Sequence, residues 1–228
     1  MTPQYLIIQN RPNKIKSENI ISIDSIIKKY FNNSINFIIL PEFWNCLSKE
    51  DAEYFIIDNK SPCIQYLYEL SLSKPLVYII SGGIYEKDED GCYTSTSSVW
   101  KAGVMIHIYR QPLNVEYYNS PLCFDTEFGR IGLCNKTTSE FPCFYAENKV
   151  NTIIFFDLCL EYYGKRYWMN LLTELAIESK CNVIGSATAP NLYYKHFSYG
   201  HSCVIDSKGI IHSQIDIGDT ENIIISKI

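Results

Sequence analysis

The stretch Gly129–Pro142 reads GRIGLCNKTTSEFP. Two glycines open it and a Phe-Pro closes it, the outline of a strand running into a sharp turn. A turn of this kind is a common mount for a nucleophile. Its middle here is Asn135, Lys136 and Thr137. A lysine in such a place has two chemistries. Desolvation lowers its pKa and makes it reactive; an adjacent carboxylate keeps it protonated and inert. The nearest thiol, Cys134, sits inside the apolar part of the stretch, where a cysteine behaves as a small buried hydrophobe. Cys143, just past the Phe-Pro, reads the same way.

Nine cysteines stand at Cys46, Cys63, Cys92, Cys123, Cys134, Cys143, Cys159, Cys181 and Cys203. The number is odd, no CxxC occurs and no His/Cys set has zinc spacing, so the reading is unbridged thiols in a reducing cytoplasm, with no metal and no cofactor. His201, in YGHS, reads as a hydrogen-bonded structural histidine rather than a catalytic one. Glu116 is an exposed loop acid by default. The Tyr-rich EYYGKRYW and NLYYKHF could line a pocket, against a default of half-exposed packing.

The elements that must position these groups follow from periodicity. YLIIQN is a buried strand. SENIISIDSIIKKYFNN carries Ile20, Ile23, Ile26, Ile27 and Tyr30 at helical spacing, with Ser17 as the expected N-cap. INFIILPEFW is a strand ended by Pro41. SPCIQYLYELSLSK is a helix, and LVYIISGGIYE a strand meeting Gly82-Gly83. CYTSTSSVW and AGVMIHIYR form a hairpin. VNTIIFFDL is a strand, and YWMNLLTELAIESKCN a helix burying Trp168, Leu171, Leu172, Leu175 and Ala176. NVIGSAT is a strand, HSCVIDSKGIIHSQ a hairpin turning at Ser207-Lys208-Gly209, and NIIISKI a last strand. Alternating helices and strands followed by hairpins imply a layered α/β protein with mixed sheets.

The chain has 228 residues, is 46% hydrophobic and carries a net charge of -5. At this length folding removes roughly 70% of the unfolded surface, enough for one domain over residues 1–228. The charge gives no basic field for nucleic acid. No apolar run approaches the roughly 20 residues of a membrane helix, and the amino terminus lacks a signal-peptide pattern.

Taken in order, several fragments resemble the nitrilase, or carbon-nitrogen hydrolase, superfamily. LIIQN, with Gln9, resembles its first strand, and Asn19 its first helix. IILPEFW resembles the apolar strand ending in Pro-Glu. VYIISGGIYEKDEDGCYTSTSSVWKAGVMIHIYRQ resembles the segment ending in Tyr-Arg-Lys. CFDTEFGRIG, LLTELAIESKCNVIGSA and FSYGHSCVIDSKGII resemble later segments. The resemblance spans about residues 5 to 212. It implies a four-layer α-β-β-α sandwich with two mixed sheets, assembled as a homodimer or higher oligomer or bound to another protein.

The chemistry implied by the resemblance needs a cysteine thiolate to attack an amide or nitrile carbon, a glutamate to move protons and a lysine to hold the oxyanion. Glu42 fills the glutamate position. Gln111 stands at the lysine position, after Tyr109-Arg110. Between Gly-Arg-Ile-Gly and Phe-Pro lie eight residues, LCNKTTSE, and the fourth, where the resemblance places the cysteine, is Lys136. The expected site is therefore a Lys136–Glu42 ion pair, which offsets the cost of burying either charge alone. The expected function is a pseudoenzyme that binds a small amide- or nitrile-like ligand, or acts as a partner or regulatory subunit. The alternative is a divergent amidase-type hydrolase using Cys134 or a Glu42/Lys136 site.

Overall fold

The computed structural model describes residues 2–46, 53–54, 61–87, 90–113, 121–135, 141–157, 164–189, 198, 200–215 and 222–228. Among these, β1 (Gln4–Gln9), β2 (Phe37–Leu40), β3 (Glu53–Tyr54), β4 (Tyr78–Lys87), β5 (Tyr93–Lys101), β6 (Val104–Pro112) and β13 (Asn222–Lys227) form one sheet. Its order is β13-β1-β2-β4-β5-β6, with β3 on β4. The other sheet runs β12 (Ile211–Gln214), β11 (Cys203–Ile205), β10 (Asn182–Ser186), β9 (Thr152–Phe156), β8 (Gly129–Asn135) and β7 (Leu122–Thr126). Each has a parallel centre, β1-β2-β4 and β8-β9-β10, and antiparallel flanks.

The layers follow from alternation along the strands, since successive side chains leave opposite faces of a sheet. Tyr5 and Ile7, Phe37 and Ile39, Ile154 and Phe156 fill the layer between the sheets. Leu6, Ile8, Ile38 and Leu40 face outward onto α1 (Lys16–Tyr30) and α2 (Pro62–Ser73). Ile153, Phe155 and Val183 face outward onto α3 (Pro142–Glu147) and α4 (Gly164–Ser179). The result is the expected four-layer α-β-β-α sandwich. β1, β2 and β9 are apolar on both faces because both are covered, which is why these segments read as apolar runs.

One local expectation changes. Ser17 does not cap α1. The helix starts at Lys16 after an extended Ile15 with no side-chain cap, while Asn13 and Asn19 hold the approaching backbone: Ile15 N–H donates to Asn13 Oδ1 at 2.7 Å and Asn13 N–H to Asn19 Oδ1 at 2.7 Å. Ser61 does cap α2, accepting from the N–H groups of Cys63 and Ile64 ahead of Pro62. The segment CFDTEFGRIG is a hairpin of β7 and β8. Its turn lacks an Asn-Gly or Asp-Gly signal and depends on Gly129 at φ 122°, a value side chains rarely adopt. The four-residue β12 and the carboxyl-terminal β13 close one side, with β13 antiparallel to β1.

Among the described residues no helix is long and apolar enough to cross a membrane.

Candidate functional site around Glu42

The carboxyl ends of the two parallel triplets meet at one rim of the sandwich. Ser202 N–H donates to Gln9 Oε1 at 3.0 Å and Ala189 N–H to the carbonyl of Asn10 at 2.7 Å, joining β1 to the end of β10. This is where ligands sit in open α/β sheets, because the strands end there and loops supply the groups.

Glu42 stands on that rim, just past β2. Its turn is fixed from several sides. Phe43 N–H donates to the carbonyl of Gly83 at 2.7 Å, Trp44 Nε1 to Ser81 Oγ at 2.8 Å, and Asn10 Nδ2 to the carbonyl of Trp44 at 3.0 Å. Phe43 adopts φ 49° and stacks on Tyr85 at 3.7 Å, nearly parallel. A left-handed non-glycine residue costs energy and persists where its surroundings hold it.

The Gly82-Gly83 pair now has a physical reason. A Cβ on Gly82 would lie 2.3 Å from the carbonyl oxygen of Pro41. One on Gly83 would lie 1.8 Å from Ser95 Oγ and 2.5 Å from Glu42 Oε1. The bare backbone lets the glutamate close onto the sheet. Gly83 N–H donates to Glu42 Oε2 at 2.9 Å, and Ser95 Oγ donates to Oε1 at 2.5 Å. Glu42 is 7% exposed. Burial pushes its carboxyl up to about 7; the bonds from Ser95 and Gly83 pull the other way, and the nearby Asp157, just past β9, pushes it further up.

Gln111 lies directly across the ladder from Ser95, so both face the inter-sheet layer. It is buried, and its Oε1 accepts from Tyr109 OH at 3.0 Å and from Asn135 Nδ2 at 2.5 Å. The Asn135–Gln111 bond also ties β8 to β6 across the two sheets.

Cys134 is one residue before Asn135 and faces the other way. It packs with Tyr145, Phe155 and Trp168 under α3 and α4, and pairs in register with Phe155, whereas Asn135 pairs with Phe156 of the inter-sheet layer. Glu42 and Gln111 are thus brought to one rim, and Cys134 is turned from it. Lys136 and Glu116 lie outside the described residues, as do Cys159 and most of the Tyr-rich stretches. Of the eight described cysteines, none is bridged, and Cys92 and Cys143 are exposed. His201 is buried, with Nδ1 3.1 Å from the carbonyl of Ile215, and its own carbonyl accepts from Trp168 Nε1 at 3.0 Å. No group of three His, Cys, Asp or Glu side chains suited to a metal occurs among the described residues.

Ser95 and Asp157 carry no motif in the sequence, and Asn135 is marked there only by its place in the turn. Ser95 carries no local signal in the serine- and threonine-rich CYTSTSSVW; only the ladder register places it under Glu42. Residues 7–228 match the family model for carbon-nitrogen hydrolases. The chain belongs to the carbon-nitrogen hydrolase family. Among relatives of this family, the deaminated glutathione amidase of Dictyostelium discoideum is 25% identical, over 88% of this chain and 79% of its own length. The omega-amidase of Homo sapiens is 24% identical over 92% of this chain and 87% of its own. The crystal structure of Saccharomyces cerevisiae Nit3, a member of branch 10 of the nitrilase superfamily, superposes with a TM-score of 0.82 at 21% identity, covering 99% of this chain and 89% of that one. This carbon-nitrogen hydrolase chain therefore shares the nitrilase fold.

Proposed function

We propose that this chain carries an amide-directed site whose working acid–base group is Glu42 and in which Cys134 is not the nucleophile. One observation supports this reading above others: Glu42 is a buried carboxyl poised near neutrality between two hydrogen-bond donors, while Cys134 faces the helices on the far side of β8. A general acid–base group works best with a pKa near the working pH.

Family membership and the amidases among the relatives favour an amidase-type hydrolase. In that reading Glu42 takes a proton from water, the water oxygen bonds to the amide carbon, and the proton passes to the departing nitrogen as the carbon–nitrogen bond breaks. Gln111 offers a neutral carboxamide where the resemblance expects a charged oxyanion holder. That substitution, with Lys136 at the cysteine position, favours a second reading: a pseudoenzyme that binds an amide- or nitrile-like molecule and leaves it intact.

A panel of small amides and nitriles, assayed for ammonia release and for thermal shift, separates the two. Release that is lost in Glu42→Gln and kept in Cys134→Ser supports the hydrolase. A thermal shift without release, lost in Glu42→Gln, supports the binder. Release abolished by Cys134→Ser, or a covalent adduct on that residue in the intact mass, would overturn the site as drawn.

A further inference from the structure

We infer that Glu86, Thr96 and Arg110 form a clamp on the outer face of the sheet that sets the strand register on which the Glu42 site depends; the inference deepens the reading of Glu42 as the working group. Glu86 is 6% exposed. Its Oε2 accepts from Arg110 Nε at 2.7 Å and from Thr96 Oγ1 at 2.7 Å, and its Oε1 accepts from Arg110 Nη2 at 3.2 Å. One carboxylate therefore ties β4, β5 and β6 together, with a two-pronged guanidinium contact that fixes orientation as well as distance.

The clamp lies directly behind the site. Arg110 precedes Gln111 and Thr96 follows Ser95, so by alternation the clamp occupies one face and the site the other. Thr96 pairs with Arg110 in the ladder, and Ser95 with Gln111. β4–β5 is irregular between Ser81 and Ile84, and β5–β6 between Val99 and Trp100. A slip of one residue exchanges the two faces of a strand. It would carry Ser95 away from Glu42 and Gln111 away from Asn135. A fork of hydrogen bonds onto one buried acid resists that slip, because any shift breaks several bonds and leaves a charge unpaired. Glu86, Thr96 and Arg110 are positioning residues; they act through Ser95 and Gln111.

The test needs no ligand, so it stands or falls apart from the proposed function. The protonation midpoint of Glu42 is measured by carbon-13 NMR of labelled glutamate carboxyls, the resonance being identified by its loss in Glu42→Gln. Among the described residues Asp157 is the other titratable group acting on Glu42. Ser95→Ala serves as the reference and raises the midpoint, because a bond to the charged form is gone. The double variant Glu86→Gln/Arg110→Met is expected to raise it to about the same value, Thr96→Val to raise it less, and Thr96→Ser, which keeps the hydroxyl, to restore the original. A folded double variant with an unchanged midpoint overturns the clamp. So does a midpoint that falls, which would mean that the network excludes water rather than setting register. If the double variant fails to fold, Thr96→Val and Thr96→Ser decide alone, and equal midpoints overturn the proposal.

Discussion

Two glutamates mark the two ends of the inter-sheet layer, and their environments push them in opposite directions. Glu42 sits at the rim where the parallel strands end, closed over by Gly83 and Ser95. Glu127 sits at the other rim, in the β7–β8 turn, beside the stacked ladder of Tyr5, Phe37 and Tyr78. Tyr78 OH donates to it at 2.5 Å and Lys101 Nζ at 2.8 and 3.0 Å, with the ammonium 3.9 Å above the Tyr78 ring. Burial pushes both carboxyls up. At Glu127 burial is slight, and the bonds from Lys101 and Tyr78 win, leaving it below the usual range. At Glu42 burial wins against two donors that carry no charge. One residue type thus becomes a surface anchor at one end and, at the other, a buried carboxyl that keeps its proton up to about pH 7. The deciding difference is a partnered cation in partial solvent against a buried carboxyl whose two donors are neutral.

Variants that break this contrast should differ in size. The largest effect is expected from Gly83→Ala, since its new Cβ would overlap Ser95 Oγ and the Glu42 carboxyl. A loss of about 4 kcal/mol is expected in urea unfolding, on the scale of severe steric strain in a core.

Next comes Glu42→Gln. Between pH 4.5, the ordinary value, and about 7, folded Glu42 keeps a proton that the unfolded chain has released. Its contribution to stability is therefore full below 4.5 and is lost as pH rises through that window, by about 3 kcal/mol in total. Glu42→Gln should remove that fall, so the variant should be the more stable protein above pH 7 in parallel urea titrations. The carboxamide can still accept from Gly83 N–H and donate to Ser95.

A smaller loss, about 1 kcal/mol, is expected from Tyr78→Phe, which keeps the stacked ring and removes one hydrogen bond. Least of all should be Lys101→Met, under about 1 kcal/mol and shrinking with added salt, because the pair with Glu127 is partly exposed. The pH sign reverses at this end. Glu127 contributes above 4.5, and that contribution fades as the solution is acidified. A Glu42→Gln protein with the same pH slope as the unaltered one would erase the contrast.

Much of the architecture was readable because it depends on local pattern. Apolar runs gave β1, β2, β9 and β10; the spacing of Ile23 and Ile27, and of Leu172 and Ala176, gave α1 and α4. Pro-Glu after β2 and Gly-Gly in β4 marked the rim, and Gln111 was found by its place after Tyr109-Arg110. What was missed turns on contacts between distant segments. Ser95 looks like its serine and threonine neighbours until β5 is paired with β4. Asn135 acquires its role only when β8 lies over β6.

Sequence by itself determined which side chains alternate along each strand, and therefore that Cys134 and Asn135 must face opposite ways. It could not say which face would meet Glu42. That was decided by the stacking of the two sheets, because a period of two separates the faces without telling one from the other. The near-neutral state of Glu42 is likewise a tertiary property: the residue is an ordinary carboxylic acid until Gly83, Ser95 and Asp157, brought together from three other segments, enclose it.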